Sequence, residues 1–201
     1  MSVASEVKRE ILSIREGEPF TTGRFLKLGS RSAIDKALSR LVAEGRLERV
    51  SRGVFVRPKK SRFVGKVMPD VSRVLEVIAE GHGETIQVHG AEAARRFKIS
   101  TQMPTQLVYY TSGPSRELQI GKLKVKLMHT TSHRRLQYAG KKPGLALTAL
   151  WYLGKDQVNT SIIKRIREGL SGKEFEILRS MSMPGWMSLA LENFCKEVQC
   201  S

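Results

Sequence analysis

The stretch SRSAIDKALSRLVAEGRLERVSRGVFVR, residues 30–57, decides the predicted fold of the N-terminal part of the chain. Its first half carries apolar residues at helical spacing, on one face of a helix: Ile34, Ala37, Leu38, Leu41 and Val42. Ser30 is an N-cap for this helix, and Gly45 supplies a left-handed stop. Two short runs rich in β-branched residues, 47–50 and 54–57, then flank the turn 51–53. The stretch therefore predicts a helix followed by a β-hairpin.

Two further helices are predicted on the N-terminal side of this stretch. Val3, Val7, Ile11 and Ile14 follow one another at intervals of four, four and three residues, which predicts an amphipathic helix from Val3 to Arg15. After a short extended piece at Phe20 and Thr21, Thr22 can cap a short helix that holds Phe25, Leu26 and Leu28 and ends at Gly29. Three helices and a hairpin in about 60 residues is the element order of a winged helix-turn-helix.

The rest of the chain alternates helical and strand-like patterns before it becomes helical. We predict a mixed α/β region over 61–139 and a helical subdomain over 140–201. The run Arg57–Arg62 indicates a basic connector, because Pro58 cannot extend a strand ladder. The predicted fold class is therefore α+β, with a winged helix-turn-helix domain at 1–60 and a C-terminal domain at 61–201, each long enough to bury its own core.

Charge is the strongest global feature of the sequence. Thirty-five Lys and Arg residues against 19 Asp and Glu give a net charge of +16, and residues 24–62 alone hold 12 basic and 3 acidic side chains. Such an excess favours a polyanionic partner, above all nucleic acid. No apolar run approaches the roughly 20 residues that span a bilayer, and the first residues lack a secretory signal, so a cytoplasmic protein is expected.

The predicted winged helix presents a set of side chains suited to duplex DNA. Polar and cationic residues lie opposite the apolar stripe of the third helix, on the hairpin and in the connector: Arg31, Ser32, Lys36, Ser39, Arg40, Arg49, Arg52, Arg57, Lys59 and Lys60. Small hydroxyls and long cations are the groups that reach phosphates and base edges in a major groove. A solvated charged face, an RNA site or a protein contact are the alternatives, and we predict double-stranded DNA.

Catalytic and metal-binding patterns are not evident in the sequence. His129 and His133 are four residues apart, but they flank Thr130-Thr131-Ser132 at the end of a predicted strand rather than on a helix. No phosphate-binding loop, dinucleotide fingerprint or catalytic triad is readable. We therefore expect no enzyme activity, no metal and no cofactor.

Three short segments together carry a family resemblance: VHGAEAA at 88–94, ISTQMP at 99–104 and YTSGPSR at 110–116. Their order resembles that of the AbiEi family of antitoxins, and the likeness covers roughly residues 5–195. The resemblance implies an antitoxin of a type IV toxin-antitoxin system that represses its own operon through the winged helix. It also implies that the C-terminal domain counteracts a nucleotidyltransferase-like toxin without forming a stable complex with it.

Two other functions remain open from the sequence. One is a stand-alone transcriptional regulator whose C-terminal domain senses a ligand or dimerises, and the other is an enzyme that processes nucleic acid. A neighbouring reading frame that encodes a toxin would distinguish the antitoxin from the stand-alone regulator. Activity of the C-terminal domain on nucleic acid would support the enzyme.

Overall fold

The structure is a computed structural model, and it describes residues 2–61, 65–101 and 106–199. It confirms the α+β class and resolves the chain into two compact units, residues 1–84 with 117–125 and residues 85–116 with 126–201. The helices are α1 Val3–Ser13, α2 Arg31–Ala43, α3 Val71–His82, α4 Gly90–Arg96, α5 His133–Leu136, α6 Lys142–Leu153, α7 Thr160–Glu168, α8 Gly172–Ser180 and α9 Gly185–Gln199, with a 3₁₀ helix at Thr22–Leu28. The strands are β1 Pro19–Thr21, β2 Glu48–Ser51, β3 Val54–Val56, β4 Lys59–Ser61, β5 Gly65–Val67, β6 Ile86–Val88, β7 Leu107–Thr111, β8 Arg116–Ile120 and β9 Leu123–His129.

The N-terminal elements have the order and strand pairing of a winged helix. Helix α1, strand β1, the 3₁₀ helix, α2, β2 and β3 follow one another along the chain, and the strands form an antiparallel sheet in the order β1-β3-β2. Phe20 pairs with Phe55, and Glu48 pairs with Val56. The two hairpin strands are thus held against the short strand that precedes the helix-turn-helix, as the predicted architecture requires.

Local chemistry explains where these elements begin and end. The Ser30 hydroxyl accepts a hydrogen bond from the Ala33 amide at the start of α2, and Gly45 takes a φ of +69° after its end, a conformation that glycine adopts without steric cost. The packed interior beneath the helices is continuous: Val7, Ile11, Ile14, Phe20, Phe25, Ile34, Ala37, Leu38, Leu41, Leu47 and Phe55. The Ser30 cap, the Gly45 stop and the apolar stripes therefore account for this part of the fold. The predicted Thr22 cap is wrong: the second helix is a 3₁₀ helix that begins at Thr22, and Thr21 before it makes no side-chain capping hydrogen bond.

The first compact unit extends beyond the winged helix. Helix α3 packs against β1 and β3, and the turn between β8 and β9 reaches the outer edge of β2, where the Gly121 amide donates to the Val50 carbonyl at 2.9 Å. Residues 60 and 61, where the domain boundary was predicted, lie inside this unit, and that boundary stays a prediction. The predicted connector also contains strand β4, which pairs with β5 and starts after Pro58, so the missing proline amide is not needed in the ladder.

The second unit is built around α6. Residues 143–150 of this helix are all buried, and α4 is its closest helical neighbour. Gly90 permits that approach, because a Cβ at this position would lie 2.1 Å from Cβ of Tyr152. Strands β6 and β7 of this unit pair antiparallel, with Ile86 opposite Thr111. Among the described residues, no helix combines the length and the apolar character that crossing a membrane requires.

Several residues of the three resemblance segments have structural roles in this unit. His89 caps α4 by accepting the Ala91 amide at Nδ1, the Ser112 hydroxyl accepts the Thr85 amide at 2.9 Å, and the Ser115 hydroxyl accepts the His129 amide at 2.8 Å. These bonds stabilise the start of a helix and the ends of strands. Residues 102–104 of the second segment lie outside the described residues.

Candidate nucleic-acid interface

Helix α2 presents a polar face to solvent. Ile34 and Leu38 are fully buried on its inner side. The opposite side carries exposed residues that the sequence singled out: Ser32, Lys36, Ser39 and Arg40. These side chains lie on the surface that the second helix of a helix-turn-helix places in the major groove.

A groove between α2 and the hairpin brings part of the predicted set together. Arg31 and Ser39 of α2 line it together with Arg49 and Arg52 of the hairpin, and its volume is about 440 Å³. Asp35, which the sequence analysis did not select, also lines it, and its Oδ2 lies 3.3 Å from Nε of Arg31. Three guanidinium groups and one carboxylate therefore share this groove, and the cations are in excess.

The position of the wing tip is fixed by the backbone. Ser51 pairs with Val54, so Arg52 and Gly53 form a two-residue turn in which Gly53 has a φ of +72°. The Gly53 carbonyl accepts the amide of Thr22 at 3.3 Å, which ties the tip to the first residue of the 3₁₀ helix. The exposed Arg52 side chain therefore projects from an anchored turn.

Arg57 stands apart from the other predicted cations. Its Nη1 donates to the carbonyls of Leu12 and Ile14 at 3.0 and 2.6 Å, and its Nη2 lies 3.6 Å from the Glu16 carboxylate. The side chain is only 24% exposed. These partners give Arg57 a structural role at the end of α1, and its contact with DNA stays a prediction.

The first lysine of the predicted connector also lies away from the groove. Lys59 is exposed and lines a separate pocket with Arg15, Glu16 and Gly17, on the side where α1 leads into β1. Lys60 lies in β4 with Lys66 as its strand partner, and its side chain is outside the described residues.

Other exposed cations near the winged helix were not selected from the sequence. Arg24 and Lys27 lie on the 3₁₀ helix that precedes α2, and their charge and position next to the predicted helix were the available signal. Lys122 lies in the β8–β9 turn and Lys124 at the start of β9, close in sequence to the Gly121 amide that bonds to Val50. No local pattern could reveal that contact, because it joins residues about 70 positions apart.

The histidines at 129 and 133 lie on different elements, in β9 and at the start of α5. Nδ1 of His129 is 2.9 Å from the Gly113 carbonyl. Among the described residues, no three His, Cys, Asp or Glu side chains are arranged to hold a metal ion.

Comparison with known proteins adds a family but not an activity. No curated protein matches the sequence. A family model described as a family of unknown function, DUF6088, matches residues 6–178, most of the chain. The chain therefore belongs to the DUF6088 family.

Proposed function

We propose that this protein binds duplex DNA through its winged helix, with α2 in the major groove and the hairpin along the flanking backbone. The observation that carries the proposal is the groove in which Arg31 and Ser39 of α2 face Arg49 and Arg52 of the wing. Cations from a helix and from the adjacent hairpin that line one groove suit a duplex, whose phosphates flank the major groove on both sides. The excess of basic residues in 24–62 supports the same partner.

The proposal divides the contacts into two kinds. Ser32, Lys36 and Ser39 occupy the centre of the exposed face of α2 and are placed to reach base edges. Arg49 and Arg52 lie on the wing and contact phosphates or enter the minor groove. Asp35 accepts from Arg31, which orients that guanidinium, and a carboxylate at this position also disfavours misplaced phosphates.

Salt dependence of binding tests the proposal. The full-length protein is titrated by fluorescence anisotropy with a duplex from the promoter of its own gene, an unrelated duplex and a single strand. We expect the logarithm of affinity to fall with the logarithm of salt concentration at a slope of at least about 3, since each neutralised phosphate contributes about 0.9. A shallower slope, or equal affinity for the single strand and the unrelated duplex, would count against the interface.

Two substitutions test the division of contacts. Arg52→Ala is expected to weaken binding to all duplexes by a similar factor, because phosphate contacts carry no sequence information. Lys36→Ala is expected to change the preferred sequence, at about 1–3 kcal/mol of discrimination for a lost base contact. If Arg52→Ala binds DNA with unchanged affinity at physiological salt, the wing does not belong to the interface.

We further propose that the protein is an autoregulating antitoxin of the AbiEi kind. The support is the resemblance in segments 88–94, 99–104 and 110–116, and the proposed DNA-binding winged helix fits repression of the protein's own operon. The toxin would be a nucleotidyltransferase-like protein encoded next to this gene. The antitoxin would counteract it without a stable complex.

Co-expression tests the antitoxin proposal. The neighbouring reading frame is induced in a heterologous host with and without this gene, and growth is measured. Growth arrest that this protein relieves supports the proposal, and relief should persist in Arg52→Ala, which separates protection from repression. If the product of the neighbouring reading frame arrests growth equally with and without this protein, the antitoxin proposal fails and a stand-alone regulator explains the protein better.

A further inference from the structure

The second unit contains a half-open pocket of about 620 Å³ that the proposed DNA interface does not use. The end of α4, the first turn of α6 and the last turn of α7 enclose it. Its volume falls within the range of small-molecule sites, about 300–1,000 Å³. Three separate elements meeting around one cavity provide a site for a compact ligand rather than for an extended chain.

The floor of this pocket is apolar and its rim is cationic. Phe97 and Leu145 form the floor, and both are more than nine-tenths buried. Four basic side chains and one carboxylate complete the lining: Arg96, Lys98, Lys142, Arg165 and Glu168. Such a lining matches a ligand that has both an anionic group and an apolar face.

Two of the cations are held in place by hydrogen bonds, one to a backbone carbonyl and one to a carboxylate. Nη1 of Arg165 donates to the Lys98 carbonyl at 2.7 Å, which fixes the guanidinium at the rim. Arg96 donates to the Glu92 carboxylate at 3.0 Å, so part of its charge is already matched. Lys98, Lys142 and Arg165 are therefore the cations best placed to meet an anion, although Lys142 also interacts with the Glu174 carboxylate.

Lys98 occupies a backbone position that favours glycine. Its φ is +57°, and its amide and that of Ile99 donate back to the Arg95 and Ala94 carbonyls, which closes the end of α4. A left-handed residue here costs a side chain steric strain that glycine avoids. Strain of this kind at the rim of a cavity points to a use for the lysine side chain itself.

We propose that this pocket binds a nucleotide phosphate, with the phosphate at Lys98, Lys142 and Arg165 and the base over Phe97 and Leu145. Inorganic phosphate alone would leave the apolar floor in contact with water, and a nucleoside alone would leave the rim cations unmatched. The inference concerns the second unit and does not depend on DNA binding by the first.

Calorimetric titration of the full-length protein tests the proposal. The probes are AMP, GMP, CMP, UMP, the four corresponding nucleosides and inorganic phosphate. We expect at least one nucleoside monophosphate to bind ten times more tightly than both its nucleoside and phosphate. A 5′-phosphorylated RNA trinucleotide distinguishes a free nucleotide from the end of an RNA. If it binds as tightly as the best monophosphate, the ligand is an RNA end, and if it binds much more weakly, the ligand is a free nucleotide. Failure of every monophosphate to exceed phosphate overturns the proposal.

Substitution of the strained lysine separates binding from folding. Lys98→Gly is expected to weaken nucleotide binding at least tenfold while the melting temperature stays the same or rises, because the glycine relieves strain. Arg165→Gln, which keeps a donor for the Lys98 carbonyl but removes the charge, is expected to weaken binding similarly. Lys164→Ala is the control, since Lys164 is exposed on α7 but does not line the pocket. A Lys98→Gly protein that binds like the wild type overturns the assignment.

Discussion

The groove beside α2 and the pocket at the end of α4 are both lined by cations, yet their surroundings differ. The groove lies between a helix face and a hairpin, and its cations continue onto the exposed face of α2 at Lys36 and Arg40. The cations of the pocket surround an apolar floor formed by Phe97 and Leu145. The comparison teaches that positive charge alone does not identify a partner: cations that continue onto an exposed helix face suit a duplex, and cations around an apolar floor suit one phosphate-bearing molecule.

The largest expected effect tests whether the rest of the first unit can stay folded without the winged helix that forms the groove. A fragment of residues 63–201 removes β1 and β3, against which α3 packs. Val74, Leu75 and Ile78 of α3, at most 4% exposed, would then be partly uncovered. Full exposure of one large apolar side chain costs about 1.5–3 kcal/mol, so partial exposure of three is expected to cost several kcal/mol, a large part of the stability of a domain.

We therefore expect this fragment to bind a dye that reports exposed apolar surface and to melt well below the full-length chain, because only the second unit, residues 85–116 and 126–201, keeps all its packing. Circular dichroism melting against the full-length chain is the measurement. A fragment that melts cooperatively within a few degrees of the full-length protein would contradict this expectation and support the boundary predicted at residues 60 and 61.

The second prediction separates a structural arginine from the cations of the groove. Arg57→Ala removes the donor to the Leu12 and Ile14 carbonyls. We expect a loss of about 1.5–3 kcal/mol in the free energy of unfolding, since hydrogen bonds from a charged group are worth that much. Urea unfolding measures the change.

The matched control is Arg52→Ala, whose side chain is exposed at the wing tip. That variant should unfold at nearly the wild-type urea concentration and lose DNA affinity instead. If Arg57→Ala is as stable as the wild type and binds DNA more weakly, Arg57 belongs to the interface and the comparison between the two arginines is wrong.

Much of the winged helix could be predicted because its signals are local. The apolar stripe of α2, the Ser30 cap and the left-handed Gly45 each depend on residues within one or two turns. The helical character predicted for 140–201 was also readable from local spacing, and α6, α7, α8 and α9 occupy most of that range. Here the spacing of apolar residues and the identity of the caps were sufficient information.

The features that escaped prediction depend on contacts between distant residues. The Gly121–Val50 hydrogen bond places Lys122 and Lys124 beside the wing, and the Arg57 bonds to α1 join positions more than 40 residues apart. The pocket at the end of α4 combines three elements that span residues 96–169. The spacing of apolar residues carries no information on contacts between distant segments. The groove could therefore be predicted in part and the pocket not at all.

The third prediction extends the basic surface of the groove to the β8–β9 turn. Lys122 and Lys124 are exposed beside the residue that bonds to β2. The double variant Lys122→Ala/Lys124→Ala should lower the salt slope of DNA binding by about 1 to 2, at about 0.9 for each lost phosphate contact. The preferred sequence should not change, because phosphates are the same at every site.

The control for this variant is Lys164→Ala/Lys173→Ala, which removes the same charge from exposed positions on α7 and α8. Both double variants lower the net charge by two, so a general charge effect would reduce their slopes equally. Equal slopes for the two variants would exclude the turn from the interface.

The smallest expected effect concerns pH and the second unit alone. Burial, with a further contribution from the nearby Arg135 charge, lowers the pKa of His89 below its usual value. Its ring lies 5.2 Å from that of Tyr110 and 5.8 Å from that of Tyr152, and its Nδ1 caps α4. The folded state therefore favours the neutral imidazole. Between the folded pKa and the unfolded value near 6.5, the unfolded chain binds more protons than the folded one.

The stability that neutral His89 contributes is thus complete above about pH 6.5 and is lost as the pH falls through the lowered pKa. His89→Asn keeps an N-cap acceptor for the Ala91 amide but removes the titration. We expect the wild-type melting temperature to fall more than that of His89→Asn between pH 7.5 and 5.5. The other histidines contribute equally to both curves, so their contribution cancels when one curve is subtracted from the other. Parallel curves over this range would mean that His89 is protonated equally in the folded and unfolded chains. Its ring would then act in the second unit only through packing and the cap.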